Sequence, residues 1–259
     1  MTARIGLRLW AVIVGAVLVA PTLVVLPLSF AGTRSFTFPP EGWSLTWYRR
    51  FFTDPAWRDA LLTSVQVALA VAVLATALGT AAALALDRGR IPGRGLINGV
   101  LLTPMVVPQI VAAIGVYAAF LKWGLSGTGA GFVLGHTTLA IPFVVVAVSA
   151  SLRGYDRHLD RAAASLGAGP WTTLRRVTLP IIAPGVLSGL VFAFVTSLDE
   201  VVVALYMQSP TLHTLPVQMF SSVTVETDPT IAAAASLVLV VTTALILLPQ
   251  LLRREKADR

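Results

Sequence analysis

Residues 67–86 read VALAVAVLATALGTAAALAL: twenty residues with no charge, no proline and no alternation of apolar with polar side chains. A helix crosses the hydrocarbon core of a bilayer with about 20 such residues. A barrel strand would need only about ten, and they would alternate. Lipid offers no partner to backbone N–H and C=O groups, so a segment of this kind satisfies them internally, as a helix. Outward from it, further charge-free windows lie at 9–33, 60–86, 95–121, 123–152, 177–198 and 229–252. They predict an all-α integral membrane protein, a single domain over 1–259 with six spans at about 9–32, 60–86, 95–121, 131–152, 181–206 and 229–252. A seventh charge-free window, 201–225, carries Gln208, Pro210, His213, Pro216 and Gln218. Its first residues read as the end of the fifth span and the rest as a loop.

Composition agrees. Hydrophobic residues make up 56% of the chain and charged ones 12%, with a mean hydropathy of +0.82. A soluble domain carries about 25% charged residues. There is no cysteine, which excludes disulfides, thiolate metal sites and a thiol nucleophile. His136, His158 and His213 match no metal-ligand spacing and read as ordinary polar residues near helix ends. No catalytic or metal-binding residue is expected. The net charge of +7 sits between apolar runs and reports topology, not nucleic-acid binding. Neither Lys122 nor Lys256 follows a Gly-rich loop, so the chain holds no phosphate-cradling motif. If ATP is used, another subunit binds it.

Fourteen of the 19 basic residues fall in the N-terminus, 87–94, 153–176 and the C-terminal tail. By the positive-inside rule that side is cytoplasmic, with both termini on it. The first window is longer than a signal-peptide core and contains Pro21 and Pro27, so it reads as a retained helix. Trp43, Trp47, Tyr48, Trp57 and Trp123 fall on the outer side, where an aromatic belt is expected.

The loop before the fifth span reads SLRGYDRHLDRAAASLGAGPWTTLRRVTLPIIAP over 151–184. Leu159, Ala162, Ala163 and Leu166 recur at helical spacing. Asp156 suits the start of that helix, Gly167 and Gly169 its end, and Pro170 the first turn of a second short helix over 170–178. The resulting small-residue face suits a groove on a partner protein or packing on its own bundle; the residues alone leave both open.

Here the sequence resembles the EAA loop of ABC importer permeases: Glu-Ala-Ala, three residues, Gly, nine residues, Ile-x-Leu-Pro. This chain has Arg161-Ala162-Ala163, then Gly167, then Val177-Thr178-Leu179-Pro180 at the same spacing. Arg161 stands in place of the glutamate, with a carboxylate one position earlier at Asp160. The resemblance implies a cytoplasmic coupling loop over 153–180 that seats Asp160, Arg161, Ala162, Ala163, Leu166, Gly167, Leu179 and Pro180 against an ABC ATPase. The strings SLDEVVVAL and TLPVQMF, with Trp43–Tyr48, are similar to the second permease subunit of spermidine/putrescine importers. That implies a heterodimer with a second permease, a cytosolic ATPase dimer carrying ATP and Mg, an external solute-binding protein, and a location in the bacterial inner membrane. No cofactor is implied in this chain. A polyamine is the first substrate expected; phosphonate, thiamine and iron complexes are alternatives.

Asp199 and Glu200 lie within the fifth apolar segment. A carboxylate at that depth costs about 2.5–3.5 kcal/mol on insertion scales and usually faces a pathway or a partner. One or other of the pair, with Gln109 beside Pro104 and Pro108, is expected on a route for a cationic solute. Hydrogen bonding between packed helices is the other reading of all three. Gly185 and Gly189 have the spacing of close helix contact. Rival functions are a stand-alone secondary transporter or channel and a membrane enzyme using Asp156, His158 and Asp160, whose spacing matches no catalytic motif.

Overall fold

The computed structural model describes residues 2–257 apart from 35, 90, 226 and 227; Arg90 and Arg259, counted above among the basic residues, lie outside the described residues. The described chain is helical. In order it forms α1 (Thr2–Leu28), α2 (Thr46–Thr53), α3 (Pro55–Arg88), α4 (Arg94–Val106), α5 (Gln109–Lys122), α6 (Gly129–Arg153), α7 (His158–Ser165), α8 (Pro170–Thr173), α9 (Leu179–Leu198), α10 (Val202–Met207), α11 (Leu215–Thr224) and α12 (Thr230–Ala257). Four runs are long and apolar enough to cross a membrane: α3, α6, Pro170–Leu198 and the first part of α12. The count reaches six if two bent pairs are each taken as one span.

The bends have causes in the sequence. α4 and α5 meet at 107°, so the expected 95–121 span is two helices. Pro108 pushes the residue before it out of the helical region, and Val107 is extended at φ −68°, ψ 134°. α1 bends by 45° between Ala20 and Thr22. The expected 181–206 span is also two helices: α9 stops at Leu198 and α10 begins at Val202. The second short helix expected over 170–178 is not separate. α8 runs through a π-helical turn at Leu174–Thr178 straight into α9. Pro180 has no N–H to give and its ring crowds the carbonyl one turn back; the widened turn just before it relieves that conflict. In the 207–228 segment expected as loop, α11 forms, with Pro216 in its first turn, where a missing N–H costs nothing.

The chain divides into two compact units, 60–217 and a second made of 1–59 with 218–259. In the second, α12 packs on α1 and α2. Tyr48 Oη links Ser29 Oγ and Ser236 Oγ at 2.7 Å each, and Trp47 Nε1 donates to the Ala31 carbonyl at 2.7 Å. In the 60–217 unit, α6 and α9 are the most closely apposed pair. A Cβ on Gly185 would stand 2.7 Å from Ser151 Cβ, and one on Gly189 3.1 Å from Val144 Cγ1. On the other side of Val144, a Cβ on Gly79 of α3 would stand 2.7 Å from its Cβ. Three helices therefore approach to backbone distance around one valine. That is how membrane helices gain contact when burial from water supplies no drive.

Candidate functional site: paired helix breaks and a helix–glycine–helix loop

Both breaks in the 60–217 unit converge on one side chain. Glu200 lies in the gap between α9 and α10 and is 3% exposed. Its Oε1 accepts from Val203 N at 2.8 Å and from Gln109 Nε2 at 3.0 Å; its Oε2 accepts from Ala204 N at 2.9 Å and lies 3.5 Å from His136 Nε2. The carboxylate thus satisfies the first turn of α10, whose N–H groups have no partner within the helix. The same group reaches the first residue of α5, just past the Val107–Pro108 break. His136, 1% exposed on α6, is bonded through Nδ1 to Ser197 Oγ at 2.9 Å. If the Ser197 hydroxyl donates, Nε2 carries the proton and faces Glu200. The rings of Tyr117 of α5 and Tyr206 of α10 lie 5.7 Å apart, tilted by 47°. One carboxylate therefore joins the starts of two discontinuous helices and lies 3.5 Å from a histidine of a continuous one.

Asp199 sits differently. It caps the C-terminus of α9 through its backbone N–H to Val195 O at 3.0 Å. Its side chain is exposed and takes part in no hydrogen bond or ion pair among the described residues. Adjacent in sequence, the two acids are opposite in state: one saturated, one free. The sequence offers His136 only as an ordinary polar residue near a helix end, and gives Ser197 no role. A histidine in the middle of a charge-free window is itself a pointer, and His136 is mid-helix rather than near a helix end.

The second candidate is the loop. Asp156 Oδ1 accepts from His158 N at 2.9 Å, starting α7. Gly167, at φ +82°, ends it, with Ala168 N bonded back to Ala163 O at 3.0 Å; a left-handed residue is what such a termination needs. Asp160 turns toward the bundle. It accepts from Tyr155 Oη at 2.6 Å and pairs with Arg88 at 3.1 Å, while Arg88 also donates to Thr178 Oγ1 at 2.7 Å. Arg157 pairs with Asp87 at 2.9 Å. Two ion pairs of opposite sense thus fasten α7 to the end of α3. Burial first, and then the bond to Asp160, raise the Tyr155 hydroxyl above its ordinary 10, so it remains a donor at neutral pH. Arg161, Ala162, Leu166 (89% exposed) and Gly167 face outward. Ala163 and Leu179 are half-buried, and Pro180 is exposed at the head of α9. Asp160→Ala is expected to loosen α7 by about 1 kcal/mol, the scale of a partly exposed pair plus one hydrogen bond. Amide exchange across 158–165 should then quicken about fivefold.

The geometry has counterparts. Residues 75–256 match the sequence pattern of a family described as binding-protein-dependent transport system inner membrane component. The chain is 35% identical over 243 residues to the spermidine/putrescine transport system permease protein PotC of Haemophilus influenzae, covering 94% of each. It is 36% identical over 226 residues to the molybdenum transport system permease protein ModB of Mycobacterium bovis, covering 81% of this chain and 82% of that one. Among solved structures, a bacterial ABC transporter involved in the import of the acidic polysaccharide alginate superposes at a TM-score of 0.71. The superposition covers 98% of this chain and 97% of that one, at 16% identity.

Proposed function

We propose, on the premise that this chain belongs to the family of binding-protein-dependent transport system inner membrane components, that it is one of two permease subunits lining the pathway of an ATP-driven polyamine importer. The observation that carries the substrate class is the free Asp199 carboxylate beside the paired helix breaks, in a chain that PotC matches over 94% of its length. Broken helices are where membrane transporters place solute sites, because unwound backbone survives in lipid only beside protein or a wet cavity. Of the expected pathway residues, Asp199 offers an uncommitted charge for an ammonium group. Glu200 and Gln109 hold the wall that presents it. A carboxylate there favours a cation over an oxyanion, which separates a polyamine from the molybdenum route of the ModB relative.

Six spans follow if each bent pair crosses once. The arginine distribution supports cytoplasmic termini and places α7 on the cytoplasmic side. There α7 and the Gly167 turn present Arg161, Ala162 and Leu166 to a cytosolic ATPase. The link from α7 through Arg88 and Asp87 to α3 would carry the motion of that subunit into the spans. The ATPase, a second permease and a solute-binding protein complete the machine; ATP and Mg belong to the ATPase.

The test is co-expression with the neighbouring genes, followed by uptake of labelled spermidine, putrescine and molybdenum as its soluble oxyanion. Asp199→Asn should lower polyamine uptake by about tenfold, one charge–ammonium contact, with unchanged thermal stability because nothing else leans on that side chain. Ala162→Trp should abolish co-purification of the ATPase. Position 162 suits this better than 167, where any side chain would also strain a left-handed backbone. Uptake of the oxyanion but of no polyamine sinks the substrate assignment. An ATPase that still co-purifies with Ala162→Trp sinks the docking assignment.

A further inference from the structure

A cleft of about 410 Å³ opens where α3 and α6 end and α4 begins, at the same end of the 60–217 unit as α7. Its charge balance is one-sided. Arg94 and Arg153 line it, and neither engages a carboxylate among the described residues. The one acid in the wall, Asp87, is already occupied by Arg157, which meets its Oδ2 at 2.9 Å and its backbone carbonyl at 2.8 Å. Asn98 and Ser149 add neutral donors with no partner among the described residues. Beneath them the floor is apolar, made by Ala83 and Leu86, which are 1% and 5% exposed.

Two unpaired guanidinium groups and two free neutral donors above an apolar floor describe a receptor for an amphiphilic anion. Guanidinium groups match phosphate oxygens in a planar fork. The site stands where α3 and α6 end, and the ends of membrane-spanning helices are where lipid head groups lie. We propose that this cleft binds the phosphate of an anionic phospholipid, with the head group between Arg94 and Arg153 and the first acyl carbons on Ala83 and Leu86. The same donors would hold a soluble phosphate, so the two sources must be separated. The site is independent of the transported solute.

The experiment is native mass spectrometry of the full chain purified in detergent and titrated with phosphatidylglycerol, with phosphatidylcholine and with inorganic phosphate. Phosphatidylglycerol should be retained about 25-fold better than phosphatidylcholine, since each of the two arginines near an anionic head group contributes about a fivefold preference and the two multiply. Arg94→Ala with Arg153→Ala should erase that preference, whereas Arg94→Lys with Arg153→Lys should keep most of it and so exclude loss by misfolding. Arg175→Ala with Arg176→Ala, which removes two exposed cations from outside the cleft, should leave it intact. Retention that inorganic phosphate does not displace identifies a lipid. Phosphate binding lost in the double-alanine variant, with no lipid preference, identifies a soluble phosphate and overturns the lipid assignment. Equal retention by the wild type and the double-alanine variant overturns the site itself. Equal loss in the Arg175/Arg176 variant reduces it to general surface charge and overturns it too.

Discussion

Glu200→Ala is expected to destabilise the protein by about 3 kcal/mol or more and to abolish transport, a larger effect than the loss of the neighbouring acid at 199. The reason is the number of donors that alanine would strand. Val203 N, Ala204 N and Gln109 Nε2 all bond this carboxylate at 2.8–3.0 Å, and His136 Nε2 lies 3.5 Å away. Each buried donor left without an acceptor costs about 1–3 kcal/mol, and the side chain that supplies the acceptors is 3% exposed. Glu200→Gln keeps the shape but exchanges one oxygen for an NH2 that faces donors only. It should fall between alanine and the wild type. Thermal unfolding in detergent measures the stability, and amide exchange at 203 and 204 locates the damage. If exchange at those two amides stays slow in Glu200→Ala while uptake is lost, the carboxylate acts on the solute and not as a bracket.

The contrast with Asp199 marks how much of this site was legible. The sequence places two acids in an apolar run and flags both through the cost of charge in lipid. It does not say that the helix stops just before them, at Leu198. Nothing at 198–202 is a glycine or a proline, so the usual breakers are missing. The break is instead held from outside by Gln109, 91 positions away, a tertiary contact with no local signature. The Val107–Pro108 bend is the opposite case. Pro104 and Pro108 were visible as interruptions, but a window of hydropathy averages across them and draws one span. α11 was missed for a related reason. Pro216 reads as a breaker in the middle of a helix and as a starter in its first turn, and only the helix itself says which. By contrast α3, α6 and α12 were legible outright, because long charge-free runs admit one backbone solution in lipid. In the loop, Asp156, Gly167 and Pro170 sit where helix-end chemistry put them, but the inward turn of Asp160 toward Arg88 and Tyr155 required α3, which the loop sequence does not contain.

Gly185→Leu should leave no folded permease, and its interest lies in comparison with Gly169→Ala. A Cβ at 185 would press on Ser151 Oγ, stand 2.7 Å from Ser151 Cβ and 2.9 Å from the Ala147 carbonyl. The carbonyl belongs to the backbone of α6 and cannot rotate away. α6 and α9 would have to separate, and the separation would open the contacts of Gly189 with Val144 and of Val144 with Gly79. Overpacking a tight core costs about 1–3 kcal/mol when side chains can adjust; here a helix axis must move, so even Gly185→Ala should cost at the upper end of that range. Gly169 has nothing within 4 Å of its would-be Cβ and an ordinary φ of −70°, so Gly169→Ala should be silent. The yield of monodisperse protein after detergent extraction checks both. If Gly185→Leu extracts and elutes like the wild type, α6 and α9 are not in backbone contact. Close packing of these helices also positions the site: α6 carries His136 and α9 carries Ser197, so the same interface that excludes a Cβ at 185 holds the histidine against Glu200. A Gly185→Ala protein that folds should therefore show faster amide exchange at 203 and 204 as well, since the bracket between the helix breaks rests on the spacing of α6 and α9.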